Sequence, residues 1–249
     1  VKLNYTIDYN GPGETLRIAS DPSSEVFIEA GTLAGFVGQF EDSGVQAIGV
    51  PGQVVNIRDR VTQPMEGGFT LVVWDPKIWP KVRAAFSSRY EGQLVLKGPV
   101  RELYLPVRLA ESLPSPDAHP EKGSRIEVRL IADGGVWLDP VVDPGPRVVV
   151  SNAGDVPVWL RIDWEGAGGK VTMPSGASFT LPRVTGMHTL LLDRRHAGEV
   201  YLPDGSYSNM LSRQIGAFAE MVPVGGEAEV VIPAGAQVSY SQGVYDPWI

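Results

Sequence analysis

The stretch Val156-Pro157-Val158-Trp159-Leu160-Arg161-Ile162-Asp163-Trp164 decides the fold class. Successive strand side chains point to opposite faces, so Val156, Val158, Leu160, Ile162 and Trp164 share one apolar face, and Trp159, Arg161 and Asp163 share the other. That is the pattern of a half-buried strand. Related runs follow at Ala177, Phe179, Leu181, at Ala228, Val230, Ile232 and at Ala236, Val238, Tyr240, each bounded by Gly, Pro, Asn or Asp turn signals. From Arg147 to the end, hardly any helix-like period interrupts the alternation, which predicts a β-sandwich.

Working toward the N-terminus, strands are expected at Thr15 to Ile18 and Glu25 to Glu29, around a turn at Asp21-Pro22-Ser23-Ser24. The Gly-rich stretch from Gly31 to Gly44 reads as a loop with apolar anchors at Leu33, Phe36, Val37 and Phe40. Val45 to Val50 and Gln53 to Arg58 flank Pro51-Gly52 and read as a hairpin. A strand from Gly68 to Trp74 leads into the one helix expected in this half. Asp75 caps it, Pro76 occupies its first position, and Ile78, Trp79, Val82, Ala85 and Phe86 recur at three- and four-residue steps. Two alternating strands close the half. Leu103 to Leu109 contains Pro106, a sign of an edge or a bulge, and Ile126 to Ala132 follows a Pro-rich surface loop, Pro114 to Gly123.

The chain has 249 residues, long for one sandwich, and its densest proline run, Leu138 to Pro146, marks the division. Domains are therefore expected over 1–139 and 140–249. Hydrophobic content of 43 % is enough for a core, and 20 % charged residues keep the chain out of the disordered class. No apolar run approaches the roughly 20 residues that span a bilayer, and the start, Val1-Lys2-Leu3-Asn4-Tyr5, lacks a signal-peptide core, so no membrane partner is expected. With no cysteine there is no disulfide, thiolate ligand or cysteine nucleophile. The net charge of −8 divides evenly: residues 1–139 hold 14 basic and 18 acidic groups, and residues 140–249 hold 7 and 11. The local basic pairs Arg58/Arg60 and Arg194/Arg195 each lie beside an Asp, which argues against specific nucleic-acid binding.

Reactive groups are sparse. The histidines are His119, His188 and His196; His119 reads as a solvated loop residue. His188 and His196, which strand pairing would bring near each other, read as ordinary hydrogen-bonded residues. No Gly-x-Ser-x-Gly elbow, His-x-x-x-His pair or calcium loop occurs, Gly11-Pro12-Gly13 lacks a phosphate-binding context, and nothing selects two of the 29 acids as a catalytic pair. No catalytic residue, cofactor or metal is expected. Trp137, Trp159, Trp164 and Trp248 are the aromatic candidates for stacking on sugars. Trp164 continues its strand's apolar register, whereas Trp159 lies on the opposite face and reads first as an interface residue.

Several motifs stand in a telling order: Trp79-Pro80-Lys81-Val82-Arg83-Ala84-Ala85-Phe86-Ser87, Val100-Arg101-Glu102-Leu103, Pro106-Val107-Arg108-Leu109, Ile131-Ala132-Asp133-Gly134-Gly135-Val136-Trp137-Leu138, Val150-Ser151-Asn152-Ala153-Gly154-Asp155-Val156-Pro157-Val158-Trp159 and Asp246-Pro247-Trp248. Over roughly Gly31 to Ile249 this order resembles the distal tail proteins, also called minor tail proteins, of long-tailed (siphovirus-type) bacteriophages that infect actinobacteria. The resemblance implies a mainly β protein: an N-terminal β-barrel domain with one helix, related to tail-tube subunits, and a C-terminal galectin-like β-sandwich. It implies a structural virion protein at the tail tip, not an enzyme, whose copies form a homohexameric ring joining the tail tube to the baseplate hub. Tail tube protein, hub protein and the tape measure protein are the candidate partners. Phe36, Phe40 and Trp159 are the apolar residues expected to face outward as interface contacts. Carboxylates are expected around the ring opening, where they would repel passing DNA. A carbohydrate-binding module for host-wall attachment is the alternative, although the chain has no room for the long inserted module that some family members carry.

Overall fold

A computed structural model describes residues 5–19, 23–46, 48–49, 51–57, 60–115, 121–196 and 198–248. The expectation for His119, and parts of those for the 21–24 turn, the 45–58 hairpin and the 114–123 loop, lie outside the described residues. The chain divides into two compact units, Val1–Leu138 with Val244–Ile249, and Asp139–Gly243. A linear division at the proline run does not express the return of the last residues to the first unit.

In the first unit β1 (Thr6–Gly11), β2 (Glu14–Ala19) and β3 (Val26–Ile28) are followed by the short β4 (Ala34–Gly35), β5 (Gln39–Glu41), β6 (Gly44–Val45), β7 (Val54–Val55) and β8 (Val61–Gln63). Then come β9 (Met65–Val73), α1 (Trp79–Ala85), β10 (Gly92–Lys97), β11 (Glu102–Leu109), β12 (Ser124–Ala132) and β13 (Trp137–Asp143), which enters the second unit at Asp139. The antiparallel order runs β3–β9–β12–β11–β10–β1–β2, with β4 also on β9. The Ser24 hydroxyl donates to the Arg17 carbonyl (2.7 Å), linking the two ends of that order. β11 is not an edge strand. It pairs with β10 along its length, while its other side pairs with β13 at Tyr104 and with β12 at Arg108 and Leu109. Pro106 falls at this change of partner, where a missing N–H costs the ladder least.

Asp75 does cap, but it caps a 3₁₀ turn, Pro76–Ile78, that precedes α1; its carboxylate accepts from Lys77 N–H (2.9 Å). The apolar face of α1 then buries Val82, Ala85 and the following Phe86, which stacks on Tyr9 at 4.0 Å. Burying a side chain of this size contributes roughly 1.5–3 kcal/mol. Gly11 permits the close approach, since a Cβ there would lie 2.1 Å from the Ala85 carbonyl oxygen. The Gly31–Gly44 stretch is more structured than a loop, because β4 and β5 lie within it and β6 begins at its end.

The second unit is a sandwich. One sheet has the order β14 (Arg147–Ser151), β21 (Glu227–Val231), β16 (Gly169–Thr172), β17 (Ser178–Leu181). The other has the order β19 (Glu199–Tyr201), β18 (Val184–Leu191), β15 (Val158–Gly166), β22 (Ala236–Val244), with β20 (Met221–Val222) on the start of β15. Val158, Leu160, Ile162 and Trp164 are buried against Val148, Val150, Val171 and Val230, as the alternation requires. One element was missed: α2 (Asn209–Ile215) interrupts the strands. Its signals are short and local. Ser208 caps its start, Gly216 ends it at φ 57°, and Leu211 and Ile215 supply only one apolar pair.

Candidate functional site

Among the described residues no group of three or more His, Asp or Glu is placed to hold a metal ion, and no helix is long and apolar enough to cross a membrane. His188 is buried beside Trp164, with Nδ1 3.0 Å from the Gly186 carbonyl oxygen. His196 instead pairs with Asp193 (2.6 Å). Burial would raise the Asp193 carboxyl, but hydrogen bonds from the His196 side chain and from the Arg195 and His196 backbone N–H groups hold it below the ordinary carboxylate value. These histidines sit in separate polar contacts and form no shared nucleophile–base arrangement.

Surfaces carry more. Among the described residues β5 pairs only with β8, and β6 only with β7, so these two strand pairs form an arm with no third strand beside it. Such ribbons are marginal alone. At its base, Phe40 packs edge-on against Tyr245 (4.5 Å), under the Arg60 guanidinium (4.7 Å). The Tyr245 hydroxyl bonds Thr62 Oγ1 (2.7 Å), the Gly38 N–H donates to the Tyr245 carbonyl (2.9 Å), and Arg60 pairs with Asp42 (2.7 Å). Farther out the arm is apolar and bare: Val45 is 70 % exposed, Val54 65 % and Ile57 71 %, with Ile48 and Val61 exposed as well. Exposed apolar side chains on a ribbon without further strands make the arm a candidate contact surface.

Of the three expected interface residues, Phe40 lies at the base of this arm, partly exposed. Phe36 is a correction. It is 1 % exposed, held at φ 57° with its ring against Gly67, and its carbonyl accepts the Trp137 indole N–H (2.8 Å), so its side chain is core and not surface. An isolated Phe among glycines carries no periodicity that would distinguish the two. Trp159 is half-buried on the outer face of β15, opposite Met221. Trp137 and Trp164 are buried, their indole N–H groups donating to Phe36 and Pro182 carbonyls, and are removed as sugar platforms; Trp248 meets Tyr5 edge-on at 5.7 Å. The arm's bare valines and isoleucines are the functional candidates that sequence reasoning missed. Their alternation predicts a hairpin, and a hairpin's burial depends on neighbours that local pattern does not name.

No protein-family model and no curated protein sequence matches the chain. Solved structures do. The SPP1 Dit protein (gp 19.1), described as a paradigm of the hub adsorption apparatus in phages infecting Gram-positive bacteria, matches with a TM-score of 0.59 at 11 % identity, over 96 % of this chain and 98 % of that one. A chain of the phage P2 baseplate in its activated conformation with Ca matches with a TM-score of 0.62 at 8 % identity, over the same shares. The corresponding baseplate with Sr matches with a TM-score of 0.58 at 8 % identity. With so little shared sequence, what these likenesses establish is that the whole chain has the fold of these phage Dit and baseplate proteins.

Proposed function

We propose that this protein is a distal tail subunit of a long-tailed phage, a structural component of the virion's tail tip and not an enzyme. The observation that carries the reading is the fold likeness to SPP1 Dit and the baseplate chains, which extends over both units and almost the full length of each partner. In this reading six copies close into a ring between the tail tube and the baseplate hub, with the tape measure protein as a further neighbour. The order of sequence motifs extends the proposal to phages of actinobacteria.

The arm supplies the assembly surface. Its bare Val45, Ile48, Val54 and Ile57 pack against the adjacent copy, removing apolar area that a monomer leaves in water. Specific interfaces bury roughly 1,200–2,000 Å², more than the arm tip alone provides, so Phe40 and adjoining strand edges join the contact. Trp159 is proposed as a contact with a different tail protein. Carboxylates, in excess over the basic residues, face the opening.

Negative-stain electron microscopy of the purified full chain, with light scattering on the same samples over a range of concentrations, tests the reading. Closed six-membered rings are expected to grow in with concentration or on adding purified tail tube protein. A strict monomer under both conditions overturns it.

A further inference from the structure

The outer face of the β19–β18–β15–β22 sheet carries an arrangement that ring assembly does not require. Register places side chains in rows across it. Gln237, Asp163, Thr189 and Tyr201 are cross-strand neighbours in one row, and Ser239, Arg161, Leu191 and Glu199 in the next. Met187 flanks these rows on β18, and Trp159 continues the outward face of β15. Arg161, Met187, Thr189, Leu191 and Tyr201, with the Leu202–Pro203 turn, line a shallow open groove of about 490 Å³, a volume within the roughly 300–1,000 Å³ common for small-ligand sites.

Asp163 is the unexpected member. Its side chain is only 5 % exposed although it points to the solvent side of the sheet. Its Oδ1 accepts from Arg161 Nε (2.9 Å), from Arg161 Nη2 (2.8 Å) and from the Thr189 hydroxyl (2.6 Å), while Arg161 Nη2 also reaches Thr189 Oγ1 (3.2 Å). Asp163 and Thr189, on two strands, thus fix one half-exposed guanidinium that lines the groove. An exposed arginine ordinarily keeps its rotamer freedom, and fixing it carries an entropy cost. The cost is recovered where a ligand meets a donor already held in place. Beside it, the Tyr201 ring lies 6.1 Å from Tyr207, its hydroxyl donating to Glu199 (2.9 Å), and Met187 adds apolar surface.

We propose that this groove binds a neutral saccharide. Sugar hydroxyls suit the remaining guanidinium donors of Arg161 and the Thr189 oxygen, and the C–H face of a pyranose suits Tyr201 and Met187. Charge selects among sugars: the one charged side chain lining the groove, Arg161, is already paired with the buried Asp163 (2.8 Å), so phosphorylated and uronic sugars find no unpaired cation and are disfavoured. The site lies wholly within the second unit and does not depend on how copies assemble.

Saturation-transfer NMR on the full chain tests this, using methyl glucoside, methyl galactoside, chitobiose and maltotriose as neutral probes and glucuronate and glucose 6-phosphate as charged ones. At least one neutral probe is expected to bind with a Kd on the order of 1 mM. Arg161→Lys, which keeps the charge facing Asp163 but loses the guanidinium donors, and Tyr201→Ala are each expected to weaken it at least about tenfold. Thermal melting on the same samples confirms that the variants are folded, and Thr189→Val serves as a further variant if either one unfolds. Absence of binding by every neutral probe, preference for the charged probes, or binding that survives both substitutions in folded protein overturns the proposal.

Discussion

Asn152 sits 1 % exposed at the turn between β14 and β15, inside the motif Val150 to Trp159. Its amide donates to the Val156 carbonyl (2.9 Å) and the Val222 carbonyl (3.0 Å), and its side-chain oxygen accepts from the Gly154 N–H (3.0 Å). One side chain therefore ties the turn to β20. Asn152→Ala leaves buried backbone groups unpaired, and a loss of roughly 2–4 kcal/mol is expected in urea unfolding of the second unit. Asp8 presents the acid counterpart. Burial would raise its carboxyl, but hydrogen bonds and charge from Arg17 and Lys97 hold it below the ordinary 3.8. A depressed carboxylate stabilises the fold fully above its unfolded value, and that contribution is lost as the pH falls through the folded one. Asp8→Asn should therefore flatten the acid limb of the stability curve below about pH 4. Tyr9 has the opposite sign: burial pushes its hydroxyl from 10.0 to about 12, so its contribution is complete below pH 10 and disappears between 10 and about 12. Tyr9→Phe should remove that alkaline loss, followed by ultraviolet titration alongside unfolding.

At the scale of elements, the arm and β9 make contrasting predictions. Lysine at Val45, Val54 and Ile57 together touches no core contact, so monomer stability is expected to stay within about 0.5 kcal/mol per site while rings fail to form in the microscope. Gly67→Ala acts inside. A Cβ at that position would lie 2.6 Å from the Phe36 ring, whose backbone already sits at φ 57°, so neither partner yields cheaply. A loss of about 1–3 kcal/mol is expected in denaturant unfolding. Elements also show where local reading succeeded. α1 and β12 were legible because each repeats one period long enough to outweigh noise, whereas α2 presents a single apolar pair, and β4 and β5 are two or three residues long. Short elements are held by the sheet they join, and their own sequence carries little of that information.

For the whole molecule, the return of residues 244–248 to the first unit matters most. Tyr245 anchors the base of the arm through Phe40, Thr62 and Gly38, and Trp248 packs on Tyr5. Ending the chain after Gly243 should cost the first unit roughly 2–4 kcal/mol and loosen the arm, measurable by thermal melting and by hydrogen exchange at residues 39–63.

Alternation and turn chemistry alone determined the β class, the strands β15, β17, β21 and β22 of the second unit and the helix after β9, because those properties are written in spacings of a few residues. The position of Phe36 in the core, the bare face of the arm, the exchange of partners at Pro106 and the Asp163–Arg161–Thr189 cluster were decided only by tertiary structure. Each depends on which distant strand lies alongside, and a side chain's burial or exposure follows from that neighbour rather than from its own place in the pattern.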